Sequence, residues 1–194
     1  MIKKTYHSAL SKEMDINKTL SSYNNKGSIV FTHDILNGTN ENFKHAACIY
    51  SEPSWRAGFN KFMSRAGKEK GGYKKYLLTI KEIINQLKVP TFMIIGKHMR
   101  GTLDPDNTID CMIHGYPALL AIWYAEIPDE ELKTNYDASD YVCKKYNRIL
   151  NFSCGYGGTV NDAKKYNKQF ICSDVNGKCI YYIAKEFMGY EYGL

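Results

Sequence analysis

Short, unbroken apolar runs, separated by polar or amphipathic stretches, set the rhythm of this chain. Residues 28–31, 45–50, 89–95 and 117–124 are too short for buried helices and rich in β-branched or aromatic side chains. That is the pattern of strands covered on both faces. Across residues 73–88 the period changes: Tyr76, Leu77, Ile80, Ile83, Ile84 and Leu87 recur every three or four positions, which predicts an amphipathic helix. The last third alternates most regularly. Residues 148–152 predict a strand, 153–159 a glycine-rich turn and 160–167 a helix; 169–173 predict a strand that ends on Asp174, and 177–188 a closing helix. Alternation of this kind predicts an α/β fold, Rossmann-like, with a mainly parallel, mixed central sheet.

The remaining stretches are less regular. Residues 2–20 predict a short helix, and 23–27 a turn through Asn24, Asn25 and Gly27. Residues 56–72 are basic and contain glycines, which predicts a loop with one helical turn. The segment from residue 97 to Asp110 reads as polar and irregular, and residues 137–140 as the cap of a helix through Tyr146. With 194 residues the chain can build one full core. The division expected is an N-terminal extension, 1–27, before a single domain, 28–194.

Composition narrows the setting. No stretch approaches the roughly 20 apolar residues that span a bilayer, and the N-terminal lysines precede no apolar run, so a cytoplasmic protein without membrane contact is expected. Cys48, Cys111, Cys143, Cys154, Cys172 and Cys179 are scattered, with no CxxC pair and no zinc-ligand spacing. They read as reduced, small hydrophobes, and no metal is expected. A net charge of +6 suits a polyanionic partner without requiring one.

The richest candidate chemistry lies near the C-terminus, in Asn151-Phe152-Ser153-Cys154-Gly155-Tyr156-Gly157-Gly158-Thr159 followed by Asp174 and Val175. A strand turning sharply into a helix brings backbone close to a ligand, and glycine permits the approach. An acid about 20 positions on, at the end of the next strand, can accept hydrogen bonds from ribose hydroxyls. The pair points to a nucleoside cofactor. A dinucleotide fits less well, because the third glycine of the dinucleotide pattern is missing.

This segment resembles the Asp-Pro-Phe-x-Gly-Ser-Gly-Thr-Thr motif of DNA methyltransferases that modify exocyclic amino groups. Residues 169–174 resemble the motif that follows it, and Phe31-Thr32-His33-Asp34-Ile35-Leu36 resembles the family's Gly-Asp-x-Leu segment. Glu52-Pro53-Ser54-Trp55 stands where the family has its catalytic tetrapeptide, Asp/Asn/Ser-Pro-Pro-aromatic. With the tetrapeptide first and the glycine turn last, the order is that of the β-class enzymes, and the resemblance covers about residues 28–188. It implies S-adenosylmethionine as cofactor, held by Asp34, Asn151, Ser153, Gly155, Gly157, Asp174 and Val175. It also implies methyl transfer to a base amine, adenine N6 ahead of cytosine N4, in DNA ahead of RNA.

The tetrapeptide's chemistry follows from the weakness of an exocyclic amine as a nucleophile. In the family, the first side chain and the next backbone carbonyl accept the amine's protons and aim its lone pair. The aromatic stacks on a base taken out of the helix. By resemblance these roles fall to Glu52, the Pro53 carbonyl and Trp55. Glu52 is one methylene longer than Asp, Ser54 replaces a proline, Asn151-Phe152 replaces Asp-Pro, and His33 replaces a glycine. A displacement of about 1 Å can cost roughly 100-fold in rate. A catalytically inactive nucleic-acid-binding or scaffold protein of the same fold is therefore one alternative reading. An S-adenosylmethionine-consuming enzyme with another substrate is a second.

Between Trp55 and Asn151 there is no room for a separate target-recognition domain. Readout then falls to loops such as 56–72 and 97–110, or to a second subunit in a homodimer or with a partner. Arg56, Lys61, Arg65, Lys68, Lys70, Lys74 and Lys75, interleaved with Phe59, Phe62, Tyr73 and Tyr76, suit phosphates and bases, with Arg56, Lys61 and Arg65 as the substrate-binding candidates. A solvated basic loop before an amphipathic helix accounts for the run equally well. His98, Arg100 and the Ile113-His114-Gly115-Tyr116 segment are weaker candidates, for which a structural role is the favoured reading.

Overall fold

The computed structural model describes residues 18–67 and 72–191, with the side chains of Arg56, Ala57, Phe62 and Arg65 outside the description. Most of the helix expected over 2–20, and Lys68 and Lys70 of the basic stretch, lie outside the described residues.

Among the described residues the first elements are a hairpin, β1 (Ser22–Asn25) and β2 (Ser28–Thr32), turning through Lys26 and Gly27 at positive φ. Two short 3-10 turns lead to β3 (Cys48–Ser51). Helices α1 (Arg56–Arg65) and α2 (Tyr73–Leu87) precede β4 (Thr91–Ile95), and the four-residue helix α3 (Arg100–Leu103) follows it. Next come β5 (Asn107–Ile113), β6 (Tyr116–Trp123) and α4 (Asn135–Lys145). The chain closes with β7 (Arg148–Asn151), α5 (Gly158–Lys165), β8 (Gln169–Asp174) and α6 (Gly177–Met188).

All eight strands form one sheet in the order β1-β2-β8-β7-β3-β4-β6-β5. The middle strands from β2 to β4 are parallel, and β1, β6 and β5 join antiparallel at the two margins. One face packs α4, α5 and α6 through Val142, Cys143, Val160, Ile180 and Ile183. The other packs α1 and α2 through Phe59, Met63, Tyr76, Ile80, Ile83 and Ile84. The expected α/β architecture with a mainly parallel, mixed sheet is the observed one. Among the described residues no helix is long and apolar enough to cross a membrane.

Several local expectations are corrected. Residues 56–65 form a helix rather than a loop, because Phe59 and Met63, one helical turn apart, anchor it in the core. Residues 107–113 form β5, an edge strand whose Ile109, Cys111 and Ile113 face the α4 side. Its Thr108, Asp110 and Met112 face the other way, so the run reads as polar. Helix α4 is capped by Thr134 rather than by Asp137: the Thr134 hydroxyl accepts from the Asp137 N–H at 3.2 Å, and the Asp137 carboxylate accepts from the Thr134 N–H at 2.9 Å. Strand β3 starts at Cys48, after a 3-10 turn over Glu41–His45. On the N-terminal side of residue 27, where a turn over 23–27 was expected, Ser22–Asn25 already pairs with β2.

The topology decides where a site can form. From β7 the chain crosses through α5 to β8 on one side; from β3 it crosses through α1 and α2 to β4 on the other. The direction of winding reverses between β7 and β3, and that reversal opens a crevice beyond their C-terminal ends.

Candidate active site

Glu52-Pro53-Ser54-Trp55 leaves β3 at this crevice, and the glycine turn leaves β7 beside it. Four hydrogen bonds tie this junction together. The Ser51 hydroxyl donates to Asn151 Oδ1 at 3.1 Å, and the same oxygen accepts from the Ser153 N–H at 3.0 Å. Tyr76 reaches over from α2: its hydroxyl accepts from the Ser54 N–H at 3.2 Å and meets Ser153 Oγ at 3.4 Å. The Ser54 N–H used here is the group a proline at that position would lack. Burial pushes the Tyr76 phenol up to about 12, so it stays protonated at neutral pH.

Glu52 is held from the α4 side. Its Oε1 accepts from the Tyr50 hydroxyl at 2.9 Å and from Asn135 Nδ2 at 3.0 Å. The Tyr50 hydroxyl also lies 2.7 Å from the Asn135 carbonyl, so its single proton is shared between two acceptors. Burial first, and the neighbouring Glu52 carboxylate second, raise the Tyr50 phenol well above its usual range and keep that donor intact. Asn135 is the first residue of α4, so the cap at Thr134 indirectly fixes the amide that orients Glu52. The carboxylate is half-buried, Pro53 is buried, and Trp55 packs against both core faces. A Cβ on Gly96, just past β4, would stand 3.4 Å from the Trp55 ring and under 3 Å from His98. A side chain at position 96 would therefore press on the indole.

The expected cofactor residues also assemble. Asp34, Asp174 and Asn151 close or follow the adjacent strands β2, β8 and β7, and the register sets Thr32 beside Asp174. Asp174 is 7% exposed, and its carboxylate accepts from the Gly155 N–H at 3.0 Å and the Asn176 N–H at 2.9 Å. Burial raises its pKa against the pull of those two donors. The acid therefore folds the glycine turn onto β8. Asp34 caps its own 3-10 turn by accepting from the Leu36 N–H at 3.1 Å. Asn151 is spent on structure: besides its two donors, its Nδ2 donates to Thr159 Oγ1 at 3.1 Å.

The two glycines divide their work. Gly155 has φ of 49° and nothing within 4 Å of where a Cβ would sit, so the turn is open there. At Gly157, φ is 82° and a Cβ would meet Phe187 at 3.1 Å and Ile183 at 3.2 Å. That glycine lets α6 pack closely. Val175 is half-buried beside Asp174. Helix α1 brings Arg56, Lys61 and Arg65 in directly after the tetrapeptide, with Lys61 exposed.

Tyr50 and Asn135 are residues of the candidate site that sequence reasoning missed. Tyr76 read as a core position of the α2 stripe and as a ring among the basic residues suited to a base, not as a hydroxyl at the tetrapeptide; Asn135 sat in an unremarked polar stretch. Only the fold sets them beside Glu52 and Ser153. All six cysteines are buried thiols outside any disulfide.

No family profile matches the sequence, and no curated protein does so at the level of sequence. Solved structures do match in fold. M1.HpyAVI superposes with a TM-score of 0.50 at 11% identity, over 80% of this chain and 96% of that one. A protein of Thermus thermophilus, provisionally described as a DNA modification methylase, superposes with a TM-score of 0.55 at 8% identity, over 85% and 96%. The same Thermus protein complexed with S-adenosyl-L-methionine gives a TM-score of 0.50 at 7% identity, over 85% and 96%. At such identities the likeness is one of fold: this chain is a Rossmann-like α/β domain of the kind found in DNA methyltransferases.

Proposed function

We propose that this protein transfers a methyl group from S-adenosylmethionine to an exocyclic amine of a nucleic-acid base, DNA ahead of RNA and adenine N6 ahead of cytosine N4. The observation that supports this best is the junction at the β3–β7 crevice. Ser51–Asn151 and Ser54–Tyr76–Ser153 seat the tetrapeptide directly against the glycine turn.

The residues fit the cofactor. Acids stand at the ends of two adjacent strands, and space opens over Gly155. Asp34 and Asp174 would accept from adenine and ribose. Gly155, Gly157, Ser153 and Val175 would line the turn, and Asn151 would hold it in shape. When bound, the cofactor supplies an electrophilic methyl on a positively charged sulfur.

The chain's own work is orientation. Glu52 Oε2, opposite the oxygen fixed by Tyr50 and Asn135, accepts one amine N–H, and the Pro53 carbonyl accepts the other. The two acceptors would thereby orient the amine's lone pair toward the methyl that the cofactor would supply. When the methyl passes from sulfur to nitrogen the amine would shed one proton, which the Glu52 carboxylate would accept. Trp55 stacks on the extruded base, and Arg56, Lys61 and Arg65 meet its flanking phosphates.

The test is incubation of the pure protein with S-adenosylmethionine, with and without DNA or RNA, read by mass spectrometry of nucleosides and of remaining cofactor. Methylated adenine or cytosine that disappears in Glu52→Ala supports the reading and names the base. Bound, intact cofactor with unmodified nucleic acid would reduce the protein to a binding fold. Loss of cofactor without nucleic acid would point to another acceptor.

A further inference from the structure

We propose that Lys97 and Arg100, with Lys74 and Lys75 beside them, hold the phosphate backbone of the nucleic acid next to Trp55, on the α1–α2 side of the sheet. This grip rests on the methyl transfer proposed above and fixes the face from which the substrate's backbone approaches.

Strands β3 and β4 are parallel, so the residues just past Ile95 stand at the edge of the sheet that carries Glu52 and Trp55. Ile95, Leu119 and Asp110 lie on one rung across β4, β6 and β5, and Ile95 and Leu119 both pack toward α1 and α2. Alternation along β5 turns Thr108 and Asp110 to that same side. Lys97, Arg100, Thr108, Asp110 and Leu119 line an open cleft there of about 320 Å³. Trp55 adjoins it through Gly96, where an added Cβ would stand 3.4 Å from the indole. His98, between the two cations, ties in α2: its Nε2 lies 3.2 Å from the Tyr73 hydroxyl. Lys74 and Lys75, exposed in the first turn of that helix, thereby join the same rim.

Charge separates the two rims of the crevice. On the α1–α2 side, Asp110 Oδ1 lies 3.4 Å from Lys97 Nζ, and among the described residues no carboxylate pairs with Arg100, Lys74 or Lys75. Lys81 and Asp104 nearby cancel one another at 3.1 Å. The α4 side has no such excess. Lys133 and Asp137 flank Asn135 there; Lys133 is paired with Glu131 at 3.0 Å, and Asp137 is exposed. A polyanion set over Trp55 is drawn to the first rim and gains nothing at the second. A nucleic-acid backbone offers successive phosphates to cations spread along an open rim, which a single small anion does not.

The test is anisotropy of a labelled DNA duplex titrated with the full chain at several salt concentrations, without cofactor. Lys97→Gln and Arg100→Gln should each flatten the slope of log affinity against log salt by about 0.9, and so should Lys74→Gln and Lys75→Gln. Asp110→Asn should act in the opposite direction and tighten binding severalfold, because it releases Lys97 from its internal counterion. Lys133→Gln, on the opposite rim, should leave the slope unchanged. A urea melt of each variant checks that the fold is retained.

Wild-type slopes in Lys97→Gln and Arg100→Gln, unchanged or weaker binding in Asp110→Asn, or an equal loss in Lys133→Gln would overturn the grip. So would tight binding of inorganic pyrophosphate that Lys97→Gln abolishes, since the cleft would then be a pocket for a free phosphorylated compound. Binding is read without methyl transfer, so the two ideas fail separately. The expected slopes in a protein that never methylates keep the grip and remove the reaction. Methylation with a KM indifferent to Lys97 and Arg100 does the reverse.

Discussion

Ser51 and Asn151 stand 100 residues apart in the chain and share a buried hydrogen bond at the ends of two neighbouring parallel strands. Asn151 serves three partners there, and Ser51 only one of them. Asn151→Ala leaves the Ser51 hydroxyl and the Ser153 N–H unpaired, each at about 1–3 kcal/mol. Ser51→Ala leaves Asn151 Oδ1 its second donor and should cost about 1 kcal/mol. Urea denaturation should rank Asn151→Ala well below Ser51→Ala. The reverse order would show that the glycine turn holds its shape without this amide.

Tyr50 and Asn135 both donate to Glu52 Oε1 and so fix its orientation. Tyr50→Phe removes a donor from Oε1 and from the Asn135 carbonyl but preserves the ring's packing. The expected result is a loss of roughly tenfold in kcat, equivalent to about 1.4 kcal/mol, with cofactor affinity unchanged. Equal losses in kcat and in cofactor affinity would mean that the crevice as a whole had relaxed.

Most of this architecture was legible because the apolar runs at β2, β3, β4 and β6 have no competing helical period. Residues 107–113 were harder: the outward-facing half of an edge strand is polar, so Thr108 and Asp110 masked the alternation of Ile109, Cys111 and Ile113. Helix α1 was hidden because its anchors, Phe59 and Met63, sit among three cations and a glycine in ten residues. At the site, the residue types announced Glu52, Gly155 and Asp174. Nothing local announced Tyr76 or Asn135, whose roles arise from contacts across 77 and 83 residues. The sequence also could not show that Asp174 spends its carboxylate on the turn, since that follows from its burial.

That use of Asp174 makes cofactor affinity and turn geometry inseparable at this residue. Asp174→Ala strands the Gly155 and Asn176 N–H groups, so cofactor affinity should fall at least tenfold, with a stability loss of about 1–3 kcal/mol. Calorimetric titration with S-adenosylmethionine beside a urea melt measures both. Weakened stability with intact affinity would remove Asp174 from the cofactor site.

Asp140 supplies a pH signature far from the crevice. Burial alone would raise its carboxyl, but hydrogen bonds from Lys165, Tyr166 and Lys144 outweigh it and hold the pKa to about 2. An unfolded Asp titrates near 3.9, so the folded state binds this proton more weakly. The stabilisation is present above about pH 4 and is lost as pH falls toward 2. Asp140→Asn should lower stability at neutral pH by on the order of 1 kcal/mol and flatten the acid limb between those values. Stability curves of both proteins from pH 2 to 7 decide it, and parallel curves would count against the network.

Ser54 brings an N–H to the tetrapeptide, and the buried Tyr76 hydroxyl is its partner. Tyr76→Phe orphans that N–H at about 1–2 kcal/mol. Ser54→Pro removes the N–H instead, leaving the Tyr76 hydroxyl with Ser153 alone. In the double variant neither half remains to be left unpaired, so the combined loss should fall short of the sum by about 1 kcal/mol. A double-mutant cycle in urea measures this coupling, and the same cycle in kcat shows whether it reaches Glu52. Strict additivity would mean that the two substitutions act apart, and that Tyr76 serves the core rather than the loop.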